Sequence, residues 1–200
     1  MPPVIPDPEK IRPFVDFKAF YDWLAQHGAE WDEVWVQFYK KASGLPTLSY
    51  EDAVRAGLCW GWIDGIKKKH DEVSFVLRFT PRRKKSIWSR INTRHAENLI
   101  EEGLMREPGL IQIQAAKADG RWEAAYASGA EFTMPEDFVR AVEADPAALE
   151  TYKTLNRANL FALAFRINNA KKAETRVRNI EKFVAMLARG ETLHPNGKGK

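Results

Sequence analysis

Two hundred residues, 44% hydrophobic and 12% aromatic, suffice for one compact domain or two small ones and exclude global disorder. One cysteine cannot form an intrachain disulfide, and the sequence shows neither a charged-then-apolar leader nor a run of about 18 apolar residues. A cytoplasmic, non-membrane protein is expected. The net charge of +4 hides an asymmetry, because Lys67–Arg94 sets ten Lys and Arg against Asp71 and Glu72, while Glu131–Glu150 sets six acids against Arg140. Fields of this kind can steer anions.

The first thirteen residues contain Pro2, Pro3, Pro6, Pro8 and Pro13, which predict an extended arm. Asp16 can cap a helix to about Gln26, with Phe17, Phe20, Tyr21 and Leu24 at helical spacing and Gly28 as its stop. Trp31–Lys40 alternates Val34, Val36 and Phe38 against Trp35, Gln37 and Tyr39, a strand pattern. Ser49 and Asp52 resemble a capping box opening a helix to about Leu58. Trp62–Ile66 and Val73–Phe79, joined by a polar connector, read as a hairpin that Pro81 ends.

From Ser89 the pattern is helical. One helix runs from Ser89 to the stop at Gly103, and a second starts at Pro108 and ends at Gly120. The small-residue loop Ala127-Ser128-Gly129-Ala130 marks the best internal boundary. Helices follow from Pro135 to Ala144, from Asp145-Pro146 to Leu155, and from Asn156 to Ile167. Val177, Ile180, Phe183, Val184 and Leu187 form the apolar stripe of the last helix, and His194–Lys200 is expected to be a disordered tail. The expected fold class is α+β: a small antiparallel sheet with packed helices, followed by a helical C-terminal half. The expected divisions are an arm at 1–13, an α+β region at 14–130, a helical region at 131–192 and a tail at 193–200.

Several chemistries lack their signatures. His27, His70, His95 and His194 are scattered and no Cys/His pair has zinc-ligand spacing, so no metal is expected. Neither a phosphate-cradling loop nor a dinucleotide fingerprint occurs, and no cofactor is expected. Cys59 sits among apolar residues, where cysteine behaves as a small buried hydrophobe.

The segment with most recognition chemistry is Thr80–Asn92, which leaves a strand and enters a helix start. Arg82 and Arg83 offer planar donor forks for phosphate or carboxylate. Ser86, Ser89 and Asn92 add short polar groups, and Trp88, with Trp62 from the preceding strand, offers a ring for stacking. Asp64 and Arg78 would come from adjacent strands of the hairpin near this loop. The candidate ligand site is therefore Trp62, Asp64, Arg78, Thr80, Arg82, Arg83, Ser86, Trp88, Ser89 and Asn92. Each also has an ordinary structural explanation: Asp before Gly is common turn chemistry, Ser89 can cap a helix, and tryptophans pack cores.

Tyr50-Glu51-Asp52-Ala53, Leu58–Gly65, Phe79–Arg83, Ser86–Ser89, Gly120-Arg121-Trp122 and Ala170–Arg176 together resemble the YdeI/OmpD-associated family, over roughly Phe14 to His194. The resemblance implies a bacterial cytoplasmic protein of the bacteriocin-protection type, and no catalytic assignment follows from it. The leading expectation is a non-enzymatic binder of an anionic small molecule or phosphate-bearing ligand at the basic, aromatic loop. An enzyme acting on a phosphorylated or carboxylated metabolite, with Asp64 as acid or base, is the alternative. Nucleic-acid binding ranks third, since +4 is a modest charge for that task.

Overall fold

A computed structural model of the chain describes residues 4–127 and 132–196. It divides into two compact units, Met1–Ala125 and Tyr126–Lys200. Most of the loop Ala127-Ser128-Gly129-Ala130, and the tail beyond Asn196, lie outside the described residues.

The first unit is a four-stranded sheet covered by helices. Its elements are β1 (Ile11–Pro13), α1 (Phe17–His27), β2 (Val34–Tyr39), α2 (Tyr50–Cys59), β3 (Trp62–Lys69), β4 (Ser74–Pro81), α3 (Arg90–Glu101) and α4 (Glu107–Ala118). The strand order is β1-β2-β4-β3. The expected antiparallel hairpin is β3–β4, and β2 pairs antiparallel with β4, Val34 lying opposite Phe79. A fourth strand was not anticipated. β1 pairs parallel with β2, Ile11 opposite Trp35, so the proline-rich arm ends inside the sheet. Three residues are too few for a periodic signal, and their partner lies beyond a whole helix in sequence.

Local chemistry sets the helix starts. Asp16 accepts from the Ala19 amide at 2.8 Å. Ser49 accepts from the Asp52 amide at 3.0 Å while its hydroxyl donates to Asp52 Oδ2 at 2.8 Å, closing the capping box. One face of the sheet then buries Val34, Val36, Leu77 and Phe79 against Phe20 and Leu24 of α1 and the α2 residues Ala53 and Leu58. Burying each large apolar side chain is worth about 1.5–3 kcal/mol. α4 comes close to the end of α2 at Gly109, where an added Cβ would stand 2.5 Å from the Cys59 carbonyl oxygen.

The second unit is helical: α5 (Glu136–Glu143), α6 (Pro146–Lys153), α7 (Arg157–Asn168) and α8 (Ala173–Ala188). Phe138, Val142, Leu163, Ile167, Phe183 and Leu187 fill its core. Arg176 grips Asp137 through two bonds of 2.9 and 2.8 Å and donates to the Ile167 carbonyl at 3.2 Å, joining α5, α7 and α8. That guanidinium holds the Asp137 carboxyl below its usual range.

Of the expected tail, the residues up to Asn196 are described, and side-chain hydrogen bonds tie them to α7. Asn159 is fully buried; its amide nitrogen donates to the His194 carbonyl at 3.1 Å and its oxygen accepts from the His194 amide at 2.9 Å. Asn196 accepts from the Asn156 amide at 2.8 Å. No helix among the described residues is long and apolar enough to cross a membrane.

Candidate functional site

The candidate residues separate into an interior group and an exposed group. At the end of β4 the Arg82 amide donates to the Gly61 carbonyl at 2.8 Å. Gly61 has φ +74°, and a Cβ there would lie 2.8 Å from the Pro108 carbonyl oxygen, so only glycine lets β3, β4 and α4 meet here. Arg82 turns inward and is 5% exposed. Its guanidinium carbon lies 3.7 Å from the Trp88 ring centroid, and Nη1 donates to the Ile87 carbonyl at 3.3 Å. Trp88 is 1% exposed and its centroid is 4.9 Å from that of Trp122. Trp88 is therefore core packing around a buried guanidinium.

The loop between them is built by its own backbone. The Ser86 amide donates to the Arg83 carbonyl at 2.9 Å, and Ser86 Oγ accepts from the Arg83 amide at 3.0 Å. Arg121 donates to the Ser86 carbonyl at 2.8 Å and is itself held by Asp119, both oxygens at 2.8 Å from Nε. This leaves Arg83, Lys84 and Lys85 exposed on a braced turn. Ser89 is buried and caps α3, accepting from the Asn92 amide at 3.2 Å, with the Asn92 side chain half-buried.

Asp64 and Arg78 are not brought together. Asp64 is opposite Phe79 in the β3–β4 register and accepts from the Tyr50 hydroxyl at 2.9 Å. Arg78, one residue before Phe79, projects to the other side of the sheet. There its Nε donates to Glu33 Oε2 at 2.5 Å, so the protein's own carboxylate balances its charge. Thr80 pairs with Ile63 and is half-buried.

Trp62 and Arg82 share a feature absent from the sequence reading: both line a pocket of about 220 Å³ where α1 ends, β3 begins and α4 starts. Trp60, Gly28, Pro108 and Gln112 also line it. Trp60 belonged to a motif noted in the sequence; Gln112 carried no signal beyond lying one helical turn after Pro108. A larger, open cavity of about 610 Å³ lies elsewhere, lined by Asp7, Glu9, Lys10, Arg12, Glu30, Trp31 and Asp32. Its Lys10 is paired with Asp32 at 2.5 Å and its Arg12 stands over Trp31.

The nucleophile and metal inventory is short. Cys59 is fully buried, and that burial pushes its thiol up to about 12, outweighing Arg55 and Arg106, which pull the other way. Among the described residues no group of three or more His, Cys, Asp or Glu could hold a metal ion.

Two family models match the chain. Residues 12–112 match a domain of unknown function, DUF8412. Residues 131–190 match the family described as bacteriocin-protection, YdeI or OmpD-associated. That second match is narrower than the Phe14–His194 span of the resemblance: Ala170–Arg176 falls inside it, whereas the motifs between Tyr50 and Ser89 fall inside the first. No curated protein and no solved structure matches the chain. The chain thus belongs over its N-terminal half to the DUF8412 family and is similar, at residues 131–190, to the bacteriocin-protection, YdeI- or OmpD-associated family.

Proposed function

We propose that this bacteriocin-protection-type protein is a non-enzymatic binder of an anionic ligand, and that the ligand engages the exposed turn Arg83-Lys84-Lys85. One observation carries the reading. These three cations stand in solvent on a turn closed through Ser86, and none has an ion-pair partner among the described residues. The neighbouring cations are occupied inside the fold: Arg78 by Glu33, Arg82 by Trp88 and Arg121 by Asp119. Arg90, exposed in the first turn of α3, extends the positive surface. A rigid turn loses little entropy on binding, which favours a ligand with several anionic oxygens such as a phosphate ester.

The test is a titration of the full chain with inorganic pyrophosphate against sodium chloride at equal ionic strength, read by backbone amide shifts of residues 83–92. The reading expects localised shifts that Arg83→Ala/Lys84→Ala/Lys85→Ala weakens by about tenfold or more. Unchanged affinity in that variant, or shifts that chloride reproduces, would overturn it.

A further inference from the structure

We propose that the pocket between the end of α1, the start of β3 and the first turn of α4 is a second binding site, for a small neutral aromatic carboxamide. It shares no residue with the exposed turn Arg83-Lys84-Lys85.

The selecting group is the Trp62 indole N–H. Trp62 is 2% exposed, and its N–H, which can only donate, has no hydrogen-bond partner among the described residues. An interior donor without an acceptor is costly, and a guest oxygen placed beside it relieves that cost. Trp62 Nε1 stands 3.4 Å from the place a Gly28 Cβ would take, and Gly28 lines the pocket, so the missing side chain leaves room beside the donor.

Size and walls fix the body of the guest. About 220 Å³ lies below the roughly 300–1,000 Å³ of sites for larger ligands, which limits it to a single ring. Leu24, Trp60, Pro81 and Pro108 are apolar or rigid surfaces suited to a flat face. Charge and hydrogen bonding fix the rest. No Asp or Glu lines the pocket, and the Arg82 guanidinium is engaged by the Trp88 ring and the Ile87 carbonyl. An ion of either sign would give up its hydration without gaining a counter-charge, so the guest is neutral. Gln112 is half-buried, and its amide, both donor and acceptor, makes no hydrogen bond among the described residues. A carboxamide meets both groups: its oxygen accepts from the indole and its nitrogen donates to the Gln112 oxygen.

The experiment titrates the full chain with benzamide, following the Trp62 indole proton by NMR and the affinity by calorimetry. Benzoate serves as the charged isostere. The expected result is a Kd of about 1 mM or tighter, a downfield shift of the indole proton as it gains an acceptor, and benzoate bound about tenfold more weakly. Trp62→Phe, which keeps a ring but removes the donor, and Gln112→Leu should each weaken benzamide about fivefold with an unchanged circular-dichroism spectrum. The indole shift is read in the unaltered protein and does not depend on either variant folding. No downfield shift up to about 10 mM benzamide, or equal affinities in wild type and both variants, would overturn the site. Benzoate binding as tightly as benzamide, or more tightly, would overturn the preference for a neutral guest. The Arg83→Ala/Lys84→Ala/Lys85→Ala variant should bind benzamide as wild type does; loss of binding there would move benzamide to the exposed turn and refute the pocket.

Discussion

Arg82 and Arg83 are adjacent in sequence, yet the guanidinium of Arg82 is stacked 3.7 Å from the Trp88 centroid in the interior while Arg83 stands in solvent. A buried cation over an indole face is attracted by the ring's quadrupole, and its methylene stem packs as well, so the residue supports the fold. Arg82→Ala should destabilise the first unit by about 2–3 kcal/mol, whereas Arg83→Ala should change stability by less than about 0.5 kcal/mol. Urea unfolding monitored by tryptophan fluorescence separates the two; equal midpoints would show that the stack contributes nothing.

Asn159 predicts a long-range effect. Its fully buried side chain meets the backbone of the exposed His194 with one donated and one accepted bond. Asn159→Leu removes that match and takes the acceptor from the His194 amide, while the His194 carbonyl keeps the Thr192 hydroxyl at 2.8 Å, an expected loss of about 1–3 kcal/mol. Hydrogen exchange at the His194 amide should accelerate at the same time. Protection at His194 equal to wild type would contradict the role.

Gly109 is a steric prediction. A Cβ there would stand 2.5 Å from the Cys59 oxygen and 2.6 Å from the Leu58 oxygen, both backbone atoms that cannot rotate away. Although alanine is the better helix former, Gly109→Ala should destabilise by about 1–3 kcal/mol because α4 must move off α2. A thermal midpoint at or above wild type would show that the two helices can separate without loss.

Cys59 predicts a pH dependence. Burial raises its pKa in the folded state to about 12, above the ordinary thiol value, so the native state keeps the proton while the unfolded state releases it. Between the unfolded value and about 12, stability should therefore fall as pH rises, and Cys59→Ala should flatten that slope. At pH 8 a disulfide reagent should modify the thiol only as fast as the unit opens. Immediate modification of the folded protein would contradict the burial.

Much of the fold could be read from local chemistry. Asp16, Ser49, Ser89, Asp145 and Asn156 each cap the helix their sequence context announces, because a cap is decided within three residues. The β3–β4 hairpin followed from two strand-like runs and a polar connector. β1 escaped because its pairing with β2 crosses α1, and no local pattern encodes a partner that distant. The candidate site was less legible for the same reason. Sequence placed Asp64 and Arg78 near each other along the hairpin, but strand alternation puts them on opposite faces. Nor could composition tell the solvent-facing Arg83 from the interior Arg82, a distinction made by Trp88 six residues downstream of Arg82.

The order β1-β2-β4-β3 leaves two sheet margins unpaired among the described residues, and each is guarded. β1 is three residues long and finishes in Pro13, which has no amide to offer. β3 carries Lys67, Lys68 and Lys69 beyond an irregularity in its register. A neighbouring copy trying to add a strand at either margin meets a missing donor or a row of like charges, the means by which natural sheets avoid aggregating edge to edge. Three of the ten cations that make Lys67–Arg94 so basic thus have a task in keeping the chain from sticking to itself, which needs no ligand at all.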